Sequence, residues 1–231
     1  MRSYTVGMAN HSFLSVWLNS MPEDQVLERF GAFLATVPFS ATRPGFTHLT
    51  IRAVDTTEIP VMEQDLRSVP LDAAGIVEIA AEHLHADSSY EVACAWDLSV
   101  FDVASGKSAV EPQLLQILCR GEEFDGEFWR ENGHFEANLG FEHLFTGHAG
   151  LLGLRPGPKS APQSPEESRF LEAMAWPENL EKYQRQTREN IRRLQDWVRR
   201  IEADLPVVKT RLWSEGEENF EARLDEIVSA R

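Results

Sequence analysis

Three histidines and a glutamate form the one cluster of residue types in this sequence that suggests a metal site. His134 and Glu136 are separated by a single residue, and His143 and His148 follow shortly after them. On a strand, His134 and Glu136 point to the same face because side chains alternate with a period of two. Imidazole and carboxylate groups are ligands that zinc and iron accept. One hypothesis is therefore a small metal-dependent hydrolase in which Glu136 or Glu142 acts as the base.

A simpler interpretation is that these histidines are hydrogen-bonded residues near a sheet edge. The segment lacks the HExxH spacing of zinc hydrolases, and the chain has no GxGxxG loop, no Walker-type loop and no GxSxG elbow. Cys94 and Cys119 lie in predicted core strands, where a thiol is usually inert. The sequence thus favours a protein without catalytic residues or a cofactor.

The charge of the chain is concentrated in its first two thirds. Residues 1–150 contain 8 Lys or Arg against 22 Asp or Glu, a net charge of −14, and the whole chain has −15. Such a surface repels phosphate backbones and anionic lipid headgroups at short range. We therefore expect neither nucleic acid nor a membrane as partner, and a basic protein becomes the natural one. The acidic run from Glu122 to Glu127 is interpreted as a charged turn at a strand end.

Targeting signals are not apparent in the sequence. The first residues contain one charge and no long apolar run, which is unlike a signal peptide. No apolar stretch approaches the 18 or so residues of a membrane span. Two cysteines are too few for a disulfide framework. These features predict a soluble, cytoplasmic protein.

Hydrophobic periodicity predicts an α+β fold for the first part of the chain. Strands and helices follow in the order β-α-β-β-α-β, and further strands form a meander. This order predicts a ferredoxin-like antiparallel or mixed sheet with helices on one face. The predicted strands are 4–18, 46–54, 59–66, 90–103, 114–124 and 134–141, and the predicted helices are 21–36 and 71–85.

Composition divides the chain into three parts. Residues 1–152 form the acidic α+β domain. Residues 153–165 are rich in proline and glycine, which predicts a linker or a strap over the domain surface. Residues 166–231 are predicted to be helical, ending in a hairpin formed by a long helix near 178–205 and a last helix near 216–229.

The long helix has four heptads with an apolar seam. Ile191, Leu194, Trp197, Val198 and Ile201 lie on this seam or beside it, and the aromatic residues widen it. A widened stripe favours packing on more than one neighbour over a two-stranded coiled coil. We therefore predict that these five residues mediate assembly, either in a homodimer or against another surface.

Arginines occupy the flank of the same helix, and two interpretations of them remain open. They could form a solvated face, paired with acids four residues earlier in the chain. They could also dock on an acidic surface of this chain or of a partner. The arginines are Arg185, Arg188, Arg192, Arg193, Arg199 and Arg200.

Taken together, these features favour a non-enzymatic protein-interaction or regulatory module, such as an immunity or adaptor protein. Its acidic body would bind a protein partner and its C-terminal helices would mediate assembly. The metal-dependent hydrolase is the alternative.

Overall fold

Seven antiparallel strands form one sheet in the computed structural model, which describes residues 10–103, 105–148, 151–152 and 164–229. The strands are β1 (His11–Leu18), β2 (Phe46–Ala53), β3 (Met62–Asp65), β4 (Ser88–Asp102), β5 (Lys107–Arg120), β6 (Phe135–Phe141) and β7 (Val207–Ser214). The helices are α1 (Val26–Ala35), α2 (Ala73–Ala80), α3 (Trp129–Asn132), α4 (His143–Thr146), α5 (Pro165–Met174), α6 (Pro177–Asp204) and α7 (Phe220–Ser229). Their order across the sheet is β3-β2-β4-β5-β6-β1-β7.

The two faces of the sheet differ because side chains alternate along each strand. In β4, Val92 and Trp96 are buried in the core, whereas Ala93 and Ala95 between them are only half-buried. Helices α1, α2 and α6 pack on the core side. We call the other side, which carries Ala93, Ala95 and Glu136, the open face.

The mixed α/β architecture and the antiparallel sheet are confirmed, but the ferredoxin-like order is not. The sheet is larger than a ferredoxin-like sheet, and β4, β5 and β6 lie between β2 and β1. The reason is the long β4–β5 hairpin, which pairs along its whole length from Ser89–Arg120 to Asp102–Lys107. The meander that was predicted as an addition to the fold therefore forms the centre of the sheet.

The predicted C-terminal helical hairpin is not confirmed, because a strand separates its two helices. β7 follows α6 directly and pairs along its length with β1. The hydrophobic core is continuous from Leu14 to Ile227, so it extends across the predicted boundary near residue 152. Residues 153–163 of the predicted linker lie outside the described residues. Ser164 caps α5 as its sequence suggests, since its hydroxyl accepts a hydrogen bond from the Glu167 amide.

The seam of α6 packs inside the chain itself. Ile191, Leu194, Trp197 and Ile201 are fully buried, and Val198 is partly buried against the same core. In this fold the five predicted interaction residues therefore pack against the core of their own chain. Their apolar periodicity arises because α6 covers the β4–β5 hairpin and contacts α1 and α4.

The arginines of α6 divide between the two interpretations. Arg188 donates to the Ile227 carbonyl at the end of α7, and Arg193 donates to the Asp97 carbonyl at 2.7 Å. These two arginines therefore dock on main-chain carbonyls of their own chain. The remaining four are exposed: Arg185, Arg192, Arg199 and Arg200.

None of the helices in the described residues combines the length and the apolar character needed to cross a membrane.

Candidate functional site

His134 is a fully buried residue with a hydrogen bond at one ring nitrogen and a carboxylate near the other. The Leu18 amide donates a hydrogen bond to its Nδ1 atom at 3.0 Å. The hydrogen therefore resides on Nε2, which lies 3.8 Å from a carboxylate oxygen of Glu122. The ring also stacks on Trp129 with 4.2 Å between centroids. His134 thus joins the end of β1 to the loop before β6, which is a structural role.

Burial lowers the pKa of His134 from 6.5 to about 4, although the nearby Glu122 carboxylate opposes this shift. The unfolded chain therefore binds a proton between these pH values that the folded chain does not bind. Stability should be complete above pH 6.5 and decline as the pH falls towards 4. In urea unfolding, the native chain should lose about 2.5 kcal/mol more between pH 7 and pH 4.5 than His134→Gln does. A variant that retains the same pH dependence would contradict this assignment.

The other three residues of the predicted metal cluster are also engaged separately. Glu136 forms an ion pair with Arg120, with 3.3 Å between the charged atoms, and the Nε2 atom of His148 lies 3.1 Å from Glu167. His143 is exposed, and its ring lies near that of Phe141. Within the described ranges, no group of three or more His, Cys, Asp or Glu residues is arranged to hold a metal ion. The structure therefore does not bring the predicted ligands together.

The two cysteines are buried, as their positions in core strands predicted. Burial raises the pKa of Cys94 to about 12 and raises that of Cys119 well above its ordinary value. Both thiols are therefore protonated at neutral pH and lack the thiolate that a nucleophile requires.

Three loops meet at the end of the sheet where β2 stops, and we call them the loop end: residues 54–59, 85–88 and 121–127. The Val54 amide donates to the Asp87 carbonyl at 2.9 Å, and the Val54 carbonyl accepts from the Asp125 amide at 2.7 Å. The Glu123 amide donates to the Ala86 carbonyl at 3.0 Å. These main-chain bonds fix the three loops against one another.

The backbone of the loop end is unusually constrained. Gly121 lies so close to the 86–88 loop that an added Cβ would overlap the Ala86 carbonyl. Val54, Asp125 and Glu127 have positive φ angles of 72°, 53° and 65°. Such angles are uncommon for residues other than glycine, and they cost most for a β-branched residue such as valine. The fold therefore holds this surface in one conformation despite local strain.

The loop end is strongly acidic. Its three segments contain no Lys or Arg. The Thr57 hydroxyl and amide both donate to Asp55 and hold the pKa of that carboxyl below its usual range, so Asp55 stays charged. Its carboxylates are Asp55, Glu58, Asp87, Glu122, Glu123, Asp125 and Glu127.

Apolar side chains are exposed among these carboxylates. Ile59 is 85% exposed, and Val54 at the start of the same segment and Val61 just after it are each 55% exposed. Single exposed apolar residues are ordinary, but a group of them on a rigid surface often marks a binding site. The loop end therefore combines an apolar contact with a negatively charged rim.

The sequence indicated only part of this surface. The charged turn from Glu122 to Glu127 was predicted, but its contact with the other two loops was not. The sequence signal that could have indicated it is Gly121, because a glycine directly after a strand often marks a close approach of two backbones. No protein-family model, curated protein or solved structure matches this chain, so the loop end is interpreted from its own geometry.

Proposed function

We propose that this protein is a non-enzymatic interaction module whose loop end binds a basic protein partner. The observation that carries the proposal is Ile59, which is almost fully exposed beside Glu58 in a loop that begins at the hydrogen-bonded Val54. The proposed binding surface therefore lies in the acidic part of the chain. The apolar seam of α6 packs against the core of its own chain.

Charge supports a basic partner over an acidic or neutral one. Most of the net charge of −15 resides in residues 1–150, and the loop end adds a local group of acids without a Lys or Arg. A surface of one sign increases the association rate of an oppositely charged protein and repels others. This effect decreases as salt increases, because the Debye length is only about 10 Å at 0.1 M ionic strength.

The hydrogen bonds between the loops also support binding, because they reduce the free energy that association costs. Ordering loops and side chains during association costs free energy, and a surface that is already ordered avoids much of that cost. The Val54 amide donates to Asp87 and the Val54 carbonyl accepts from Asp125, so these bonds hold the loops in place before any partner arrives. Val54, Ile59 and Val61 can then contribute the central apolar contact, with the acids forming a polar rim.

The proposal is tested with Ile59→Asp and a matched control, Val69→Asp. Both residues are exposed and apolar, Ile59 at 85% and Val69 at 69%, but Val69 lies outside the loop end. Partners retained from a native extract by each protein are quantified by mass spectrometry, and the main partner is then purified and titrated. We expect a partner with a high isoelectric point that Ile59→Asp binds at least tenfold more weakly, while Val69→Asp binds normally.

Equal binding by the two variants would show that the loop end is not the interface. An acidic main partner would refute the charge argument. A partner chain identical to this protein would replace the proposed heterologous partner with a homodimer.

A further inference from the structure

A cleft of ≈650 Å³ opens on the open face at the start of β2. Its volume lies within the range of about 300–1,000 Å³ that is common for small-molecule sites. Ala95 and Leu114 line it, and Leu114 is 58% exposed although it lies in a central strand. The other residues that line it and that matter here are Arg43, Pro44, Arg67, Pro70 and Pro112.

The cleft is formed in advance by contacts between its walls. The loop before β2 is fixed to β4, because the Ser40 amide donates to the Ala95 carbonyl at 2.7 Å and the Ala41 amide donates to Asp97 at 3.0 Å. Phe46 and Leu71 exchange two main-chain hydrogen bonds and so close one side. Three prolines in the walls restrict the backbone further.

Two arginines line the cleft, and only Arg43 is available to bind a negatively charged ligand. Arg67 forms a bidentate ion pair with Asp65, with Nε at 2.9 and 3.0 Å from the two carboxylate oxygens. That guanidinium is therefore already neutralised. Arg43 lies exposed at the cleft and has no carboxylate partner in the part of the chain that the structure describes. A ligand with a single negative charge would balance it.

We propose that this cleft binds a small apolar monocarboxylate. The planar guanidinium of Arg43 can hold a carboxylate through two parallel hydrogen bonds. The apolar body of the ligand would then lie on Ala95, Leu114 and the prolines. Polyanions such as nucleotides are disfavoured, because Glu63 and Asp65 line a second hollow of ≈420 Å³ that shares Thr47 and Arg67 with the cleft.

This site is separate from the proposed partner surface. The cleft lies where β2 begins, at Phe46, and the loop end lies where β2 finishes, after Ala53. Because a strand rises about 3.3 Å per residue, the two ends of β2 are roughly 23 Å apart. A ligand in the cleft is therefore an additional binding function, and either proposal can fail without the other.

Sodium decanoate is the probe, and decanamide is its uncharged counterpart. Isothermal titration calorimetry should show saturable binding of decanoate to the full chain. The affinity for decanamide should be lower by a factor of about ten or more. Arg43→Gln should weaken decanoate binding by a similar factor. Arg199→Gln on α6 is the matched control, since it also removes one exposed arginine, and it should bind decanoate normally.

Amide shifts in a ¹⁵N-labelled sample distinguish the cleft from general adsorption of an amphiphile. Decanoate should shift residues 42–47, 67–71, 93–95 and 112–114, and Leu114→Glu should abolish those shifts while leaving the rest of the spectrum unchanged. The proposal is overturned if decanoate does not bind, if decanamide binds equally well, or if the shifts lie elsewhere.

Discussion

Trp197→Ala is expected to lower the free energy of unfolding by about 3–5 kcal/mol. The indole is fully buried at the point where α6 meets α1 and the sheet. Its ring lies 6.0 Å from those of Phe33 and Trp96, and its Nε1 atom donates to the Thr36 hydroxyl at 2.9 Å. Truncation would leave a large cavity and remove the hydrogen bond that the Thr36 hydroxyl accepts, and both effects act in the same direction.

Trp176→Ala is the matched control for this substitution, because Trp176 immediately precedes the same helix but is 70% exposed. We expect its effect to stay within about 0.5 kcal/mol. Both variants are measured by urea unfolding at two protein concentrations. If Trp197 lay between two subunits, the loss would depend on concentration, and the internal position of α6 would be refuted.

Asn190→Ala is expected to cost about 3 kcal/mol, an unusual amount for a polar residue. The Ser99 amide donates to Asn190 Oδ1 at 2.7 Å, and the Asn190 amide donates to the carbonyls of Ser99 and Leu144 at 2.9 and 3.0 Å. Asn190 is buried, so water cannot replace these bonds in the variant. Three main-chain groups would lose their partner at once.

Gln195→Ala tests whether this loss belongs to the hydrogen bonds or to the helix. Gln195 also lies on α6 but is partly exposed, and alanine favours the helix. The control should therefore be neutral within about 0.5 kcal/mol when both variants are compared by thermal and urea unfolding. Equal losses at the two positions would show that the Asn190 bridge contributes little.

Local signals predicted the longer helices but not the short α3 and α4. Ser164 caps α5, and the four-heptad pattern predicts α6, because both signals act within one or two turns. The same pattern could not indicate what α6 packs against. An apolar seam is equally suited to a second chain or to the chain's own sheet, and only the long-range contacts with β4 and β5 distinguish the two.

The strand β7 was missed because its surroundings suggested a link between two helices. Its inward-facing positions are only partly buried, since it lies at the edge of the sheet and pairs with β1 alone. The alternation of buried and exposed residues that identifies a strand is therefore weak there. The pairing itself joins Phe13 to Trp213, whose rings stack 4.3 Å apart, and residues so distant in sequence leave no local pattern.

The candidate site likewise depends on long-range contacts that local sequence signals do not predict. The alternation rule places His134 and Glu136 together. In the fold, Glu136 lies opposite Leu118 and forms an ion pair with Arg120 further along β5, whereas His134 precedes β6 and lies beside Glu122. The loop end depends on hydrogen bonds between Val54 and residues more than thirty positions away. Neither arrangement follows from spacing along the chain.

The proposed role of the loop end is tested most directly by the affinity of the purified partner at 50 mM and 300 mM salt. For the native chain and Val69→Asp, affinity should decrease as salt increases, because screening weakens the attraction between opposite charges. Ile59→Asp should bind at least tenfold more weakly at both salt concentrations, since it loses the apolar contact. A partner that binds independently of salt, and equally well to Ile59→Asp, would contradict the account.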